Sequence, residues 1–369
     1  MKKNKHTKLM AIALLMLSLI FGSVQSHACT GVMIKTDDNN YIIGRTMEFA
    51  EDYVAHILIF VPRNFKYIGH TPSEKPGMLW ESKYAYVGFS PSTTMPLVDD
   101  GLNEVGLYCG GFFHIGYAGY ESVIDSDYSR TISCLDVASW ILSTCSSTAE
   151  VREQLPKILV CAVKDPDMGY VPPMQYFVAD KTGDAIIIEY LNGKLVISDN
   201  KANVITNSPA YSWHTENLRN YITLKPENSL SIKINGNEFA DFSQGSGAIG
   251  LPGDFSSPSR FVHAAFLANT AYGGKNVDEG IGVIFHIMNH FDIPKGSVRG
   301  MADGKSMNDT AQWTSAADLA NQKYFYHTYS DRNVRMIDLK KLDLNAKDVK
   351  SIKNIQAPSE IEDVSEDLK

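Results

Sequence analysis

Cys29-Thr30-Gly31-Val32-Met33-Ile34-Lys35-Thr36, Asp37-Asp38-Asn39-Asn40, Tyr41-Ile42-Ile43-Gly44-Arg45-Thr46-Met47-Glu48: two β-prone runs flank a polar turn, and the first run begins on a cysteine. β-Branched and aromatic side chains suit a pleated surface, and an Asp/Asn cluster reverses a chain, so the stretch predicts a hairpin that starts at Cys29. Further strands are predicted at Ala55–Val61, Lys83–Phe89, Gln175–Ala179, Ala185–Leu191 and Lys194–Ser198. Turns at Lys181-Thr182-Gly183-Asp184 and Asn192-Gly193 join the last three. Apolar periodicity predicts helices at Ser133–Thr144, Thr148–Leu155, Trp213–Tyr221, Ser259–Thr270 and Val277–Asn289, before strands return at Trp313–Asp318 and Lys323–Tyr329. Elements in this order predict an α+β layered domain in which packed sheets are covered by helices.

Ahead of Cys29 stand Lys2, Lys3, Lys5 and Lys8, then a run from Leu9 to Phe21 that is apolar except for Ser18, then Ser26-His27-Ala28. A basic head, a short greasy middle and small residues before the cut make a secretory signal peptide. The apolar run falls short of the roughly 20 residues that cross the hydrocarbon layer. Residues 1–28 are therefore expected to be removed, leaving an exported protein, periplasmic or secreted, with no stable membrane insertion and with Cys29 at its terminus. A bacterial lipoprotein would also place cysteine here, but its processing favours a large aliphatic residue where this chain has Ser26.

The 369-residue chain has a net charge of −8, and loss of the four leader lysines takes it to −12. Such acidity argues against nucleic acid and anionic membranes as partners. No Gly-, Ser- or Pro-rich linker divides the chain after Cys29, so a single catalytic domain is expected over 29–356, and the acidic stretch 357–369 reads as a disordered tail. The five cysteines, Cys29, Cys109, Cys134, Cys145 and Cys161, are an odd number, so at least one thiol is free. Cys134 and Cys145 fall on one predicted helix about 16 Å apart, too far to bond to each other. The four internal cysteines read as small buried hydrophobes.

A cysteine at a chain terminus has a neighbour that no internal residue has, its own α-amino group, with an unperturbed pKa of about 7.7 to 8.0. That amine can take the thiol proton, so that nucleophile and base share one residue. Cleavage before Cys29 is a precondition, because any preceding residue turns the base into an amide.

The residues around Cys29 sharpen this. Cys29-Thr30-Gly31 with Gly44-Arg45-Thr46-Met47-Glu48-Phe49 resembles the choloylglycine hydrolase family, which contains bile salt hydrolases and penicillin V acylases. In the same order follow Val61-Pro62-Arg63-Asn64-Phe65, Asp100-Gly101-Leu102-Asn103-Glu104 with Gly106-Leu107, and Thr206-Asn207-Ser208-Pro209. Gly250-Leu251-Pro252-Gly253-Asp254 with Ser257-Pro258-Ser259-Arg260-Phe261 closes the series, so the resemblance covers most of the chain after Cys29. It implies an N-terminal nucleophile hydrolase, a four-layer αββα sandwich that cleaves a linear amide without metal or cofactor. By the family pattern Cys29 is the nucleophile and its amine the base. Arg45 lies beside the thiol, where a cation lowers its pKa. Asn207 offers a side-chain N–H to the oxyanion, and Arg260 is a second active-site arginine. A homo-oligomer, tetramer or dimer, is also implied.

Two positions depart from the pattern. Glu48 stands where the family usually has an aspartate that orients the amine. At Phe113, bile salt hydrolases carry asparagine and penicillin V acylases tyrosine, so only the backbone N–H of Phe113 is left to serve the oxyanion. Phe112 and Phe113 are expected to help line an apolar acyl pocket. Candidate substrates are glycine or taurine conjugates of bile acids, phenoxyacetylated penicillin, and fatty-acyl amides such as acyl-homoserine lactones. The rival reading is a catalytically idle exported binding protein or lipoprotein of the same fold. Gly245, Gly247 and Gly250 spell a phosphate-loop pattern, but Pro252 and Gly253 follow and it reads as a loop near Arg260. His286 and His290 lack a third metal ligand, and no G-x-S-x-G elbow is present.

Overall fold

The computed structural model describes residues 28–368 apart from 51–56, 74, 303–304, 354, 356–357 and 359–360. The predicted leader, except Ala28, and the first two residues of the strand predicted at Ala55–Val61 lie outside the described residues. In chain order the principal strands are β1 (Cys29–Lys35), β2 (Tyr41–Ala50), β3 (Ile57–Val61), β4 (Tyr86–Ser90) and β5 (Asp100–Asn103). Then come β6 (Leu107–Phe113), β7 (Met174–Asp180), β8 (Ala185–Leu191), β9 (Lys194–Asp199) and β10 (Val204–Ile205). The series ends with β11 (Val298–Ala302), β12 (Lys305–Asp318), β13 (Lys323–Thr328), β14 (Arg335–Asp338) and β15 (Lys350–Ile352). The helices are α1 (Val137–Thr144), α2 (Thr148–Gln154), α3 (Tyr211–Asn217), α4 (Ser257–Thr270) and α5 (Val277–Met288).

Among the described residues these strands form two large sheets. Sheet I runs β10-β1-β2-β12-β13-β14, with β11 on β12; sheet II runs β9-β8-β7-β6-β5-β4-β3-β15. The hairpin predicted from the opening stretch is β1–β2, in antiparallel register from Cys29 opposite Met47 to Lys35 opposite Tyr41. Its turn holds Asn39 at φ 63, a left-handed conformation that asparagine tolerates. Helices α4 and α5 pack on the outer face of sheet I, while α1 packs on the outer face of sheet II at β5 and β6. The result is the four-layer αββα sandwich that the family resemblance implied.

Strand β6 shows how the layers are built. Successive side chains of a strand point to opposite faces. Tyr108 and Phe112 accordingly enter the core between the sheets. Leu107, Cys109 and Phe113 enter the core between sheet II and α1.

The helix predicted from Ser133 begins only at Val137, because the Asp136 carboxylate turns back to accept the Ser133 N–H at 2.8 Å and its hydroxyl at 2.7 Å. Cys134 therefore precedes the helix and Cys145 caps its end, so the two do not share it. All five cysteines are free and buried. The helix predicted at Trp213–Tyr221 starts earlier, as α3, and closes with a 3-10 turn, Leu218–Tyr221. Of 357–369, the described residues are exposed around one 3-10 turn, Ser365–Leu368. Among the described residues, no helix is long and apolar enough to cross a membrane.

Candidate active site

Register decides what meets at Cys29. Cys29 pairs with Met47 and Gly31 with Arg45, so the side chains of Cys29, Arg45 and Met47 share the face of sheet I that looks toward sheet II. Gly31 makes the fit: a Cβ there would stand 2.8 Å from the Phe112 ring. On the opposite face, toward α4, lie Thr30, Thr46 and Glu48.

Arg45 is wholly buried. Its Nη1 donates to the Asp99 carbonyl at 2.6 Å and forms an ion pair with Asp100 Oδ2 at 3.3 Å, while Nη2 donates to the Gly111 carbonyl at 2.5 Å. The same Nη2 stands 3.9 Å from Cys29 Sγ and 3.6 Å from Met47 Sδ. The rings of Phe112 and Trp313 lie 4.6 and 5.1 Å from the guanidinium carbon, holding its plane in place.

The Cys29 thiol contacts Met47 Sδ at 3.5 Å. Burial pushes its pKa up to about 11; Arg45 pulls it down and Glu48 adds to the rise. Arg45 lowers the pKa as expected, but desolvation outweighs one cation already shared with Asp100 and the net shift is upward. A thiol so placed keeps its proton near neutral pH.

The Cys29 main-chain nitrogen follows Ala28 in this chain and is a peptide N–H. It donates to Asn207 Oδ1 at 2.8 Å. Arg260 Nη2 donates to the same oxygen at 2.7 Å, and Asn207 Nδ2 donates to the Phe113 carbonyl at 2.9 Å. Two donors facing one end and a carbonyl facing the other fix the orientation of the amide. One N–H of Nδ2 remains for a ligand. Asn207 is itself pinned: its N–H donates to Ser257 Oγ at 3.0 Å and its carbonyl faces His214 Nε2 at 3.0 Å.

Arg260 approaches from the first turn of α4. Its Nη1 donates to the Cys29 carbonyl at 2.6 Å and to Thr30 Oγ1 at 2.7 Å, so it holds the backbone of Cys29 from behind the sheet. Glu48 is fully buried on that same side. Neither carboxylate oxygen is hydrogen-bonded, the Thr46 hydroxyl beside it included. Burial pushes Glu48 up to about 8, against the pull of Arg260. The Glu48 N–H donates to the Ala28 carbonyl at 3.0 Å, at the peptide bond joining Ala28 to Cys29.

A cavity of about 60 Å³ opens on Cys29, walled by Met47, Phe49, Met95, Phe113, Met168 and Met174 among others. The two phenylalanines expected there separate. Phe113 lines the cavity, edge-on to Phe49, whereas Phe112 points the other way along β6 and lies under Arg45. The sequence alone did not single out Asp100 or the methionines by role. Its place at the head of the Asp100-Gly101-Leu102-Asn103-Glu104 block was the available signal for the first. Of the loop glycines, Gly245 and Gly250 are exposed and Gly247 is buried, and His286 and His290 are exposed.

Two stacked sheets with a cysteine opening an inner strand define the N-terminal nucleophile hydrolase fold. A model of the linear amide C–N hydrolases, choloylglycine hydrolase family, matches residues 29–352, and the chain belongs to this family. It is 32% identical to a bile salt hydrolase/transferase of Clostridium perfringens, over 88% of this chain and 96% of that one. It is 27% identical to a penicillin V acylase of Pectobacterium atrosepticum, over 92% and 89%. The structure of a variant conjugated bile acid hydrolase from Clostridium perfringens superposes with a TM-score of 0.79 at 30% identity, covering 91% of this chain and 99% of that one.

Proposed function

We propose that the protein is exported, is cleaved between Ala28 and Cys29, and hydrolyses acyl amides with Cys29 as nucleophile. The observation that carries this is the placement of one residue: Cys29 nitrogen held on Asn207 Oδ1 at 2.8 Å while Sγ faces the apolar cavity. Cleavage converts that nitrogen to an amine at the same place, and Glu48, whose backbone N–H holds the Ala28 carbonyl, is assigned to orient it. The neutral amine takes the thiol proton, and sulfur attacks the amide carbon. The oxyanion accepts the remaining Asn207 N–H. The ammonium gives its proton to the leaving nitrogen, the C–N bond breaks, and a thioester remains. The amine then takes a proton from water, whose oxygen displaces sulfur and frees the acid.

The acyl group lies in the methionine- and phenylalanine-walled cavity. Drug-sized ligands occupy pockets of roughly 300–1,000 Å³, so the cavity as it stands favours a slim aryl or alkyl group and must widen for a steroid. Conjugated bile acids and penicillin V-type amides are both substrates to test, with acyl-homoserine lactones as the slim alkyl case. The experiment is intact mass and N-terminal sequencing of protein from an exporting host, followed by amine release from glycocholate and penicillin V by the wild type and Cys29→Ser. An unmodified terminal Cys29 and loss of release in the variant are expected. A terminus elsewhere, or a lipid mass on Cys29, overturns the reading in favour of an idle binding protein or lipoprotein.

A further inference from the structure

Asp100 opens β5 in sheet II, is completely buried, and faces sheet I. Its Oδ2 takes the Arg45 guanidinium at 3.3 Å and the Tyr108 hydroxyl; its Oδ1 takes the Ser315 hydroxyl at 3.0 Å and the Tyr324 hydroxyl. Arg45, Ser315 and Tyr324 all belong to sheet I, so one carboxylate ties the two sheets together directly under the nucleophile. Burial raises the pKa of Asp100, and the guanidinium and hydroxyls act against that rise. Four donors on two oxygens form the environment of an ionised carboxylate.

Space is kept for it. A Cβ on Gly110, the residue across from Asp100 on β6, would stand 2.4 Å from the Tyr108 hydroxyl and 3.1 Å from Asp100 Oδ2. Gly110 is therefore required by the carboxylate and its tyrosine rather than by any turn. Of the contacts to the Arg45 guanidinium, the Asp99 and Gly111 carbonyls carry no net charge. The Asp100 carboxylate is ion-paired with it at 3.3 Å, and the Asp99 carboxylate acts on it from further away.

We propose that Asp100 is a positioning residue for amide hydrolysis: it fixes Arg45 with one nitrogen turned to Cys29 Sγ and offsets part of the charge that Arg45 presents to the sulfur. This rests on Cys29 being the nucleophile. Arg45 without Asp100 is a stronger cation beside the thiol but one free to shift, so thiolate is favoured while productive geometry is lost. Place and charge can be separated, because Asp100→Asn removes the charge and keeps the shape, whereas Asp100→Glu keeps the charge and displaces it by one methylene.

The test uses the processed enzyme. Alkylation of Cys29 by iodoacetamide is followed against pH by peptide mass, beside kcat and KM for the better of glycocholate and penicillin V. For Asp100→Asn the alkylation midpoint is expected to fall by about one pH unit, a roughly tenfold gain in thiolate at fixed pH. Its kcat is expected to fall about tenfold or more, with KM within about twofold. For Asp100→Glu the midpoint is expected to stay and kcat to fall. Wild-type kcat in either folded variant overturns the proposal. So does lost stability in Asp100→Asn with an unmoved midpoint, which makes Asp100 a link between sheets and nothing more. If Asp100→Asn does not fold, Asp100→Glu alone decides the positioning role by its kcat. Wild-type turnover by Cys29→Ser, by contrast, removes the nucleophile reading and leaves the alkylation midpoints to report on Arg45.

Discussion

Asn207 turns its side-chain oxygen to the Cys29 main-chain N–H at 2.8 Å and its side-chain nitrogen to the Phe113 carbonyl at 2.9 Å. One residue thus grips the Cys29 nitrogen and, in the proposed mechanism, offers its remaining N–H to the oxyanion. Asn207→Asp keeps the size and loses every donor, and it sets an oxygen against the Phe113 carbonyl. Its kcat is expected to fall by about 10²–10³-fold, with a much smaller change in KM. A kcat within a few-fold of wild type, in a variant that folds, excludes Asn207 from the oxyanion site.

Arg45 and Asp100 are expected to show strong energetic coupling. Arg45→Met leaves Asp100 buried with no counter-charge, a loss of about 3–5 kcal/mol. Adding Asp100→Asn removes the stranded charge, so the double variant is expected to regain most of that stability while remaining inactive. Urea denaturation of the wild type, the two single variants and the double variant measures this directly. Additive losses mean that the pair does not interact as its 3.3 Å separation indicates.

The hairpin at Cys29 was legible because its alternation, its turn residues and its cysteine coincide in one short stretch. The set of Cys29, Arg45, Glu48, Asn207 and Arg260 was legible through ordered motifs, and the structure brings all five to the two faces of β1. Strands β5 and β6 were not predicted, although they are central to sheet II. Gly110 and Gly111 depress β-propensity in β6, and both are there for tertiary reasons. Gly110 clears Tyr108 and Asp100, and a Cβ on Gly111 would stand 2.5 Å from the Met174 methyl. Local propensity cannot register a neighbour 60 residues away. The net direction of the Cys29 shift was not legible for a related reason: spacing reveals the nearby arginine, which does lower the pKa, but not the depth of burial that outweighs it.

Acid stability provides a further test. His114, His214 and His327 are buried, and burial is the first cause pushing each down to about 4. Unfolded, each titrates near 6.5. Between those values the unfolded chain binds more protons, so stability from these groups is complete above about pH 6.5 and drains away as pH falls toward 4. Glu48, pushed up to about 8, runs the other way in the uncleaved chain, losing stability as pH rises from about 4.5 to 8. A comparison with His114→Gln isolates the histidine contribution: the urea-midpoint gap between wild type and variant is expected to differ between pH 7.5 and pH 4.5, with the wild type losing relative ground in acid. A gap independent of pH means that His114 takes up its proton at the same pH folded and unfolded.

Phe113 is the residue on which acyl selection is expected to turn. It walls the cavity beside Cys29, and its ring meets Phe49 edge-on at 5.9 Å. Phe113→Ala removes that wall and leaves a void, destabilising the fold by about 3–5 kcal/mol where the neighbours do not collapse. The same void widens a cavity of about 60 Å³, to the greater gain of the bulkier acyl group. The ratio of kcat/KM for glycocholate over penicillin V is therefore expected to rise roughly tenfold, the scale on which apolar pockets separate acyl groups by size. Amine release from both substrates at matched folded concentration gives that ratio. If it does not move, Phe113 does not set acyl selection, and Met95, Met168 and Met174 of the same cavity become the walls to vary next.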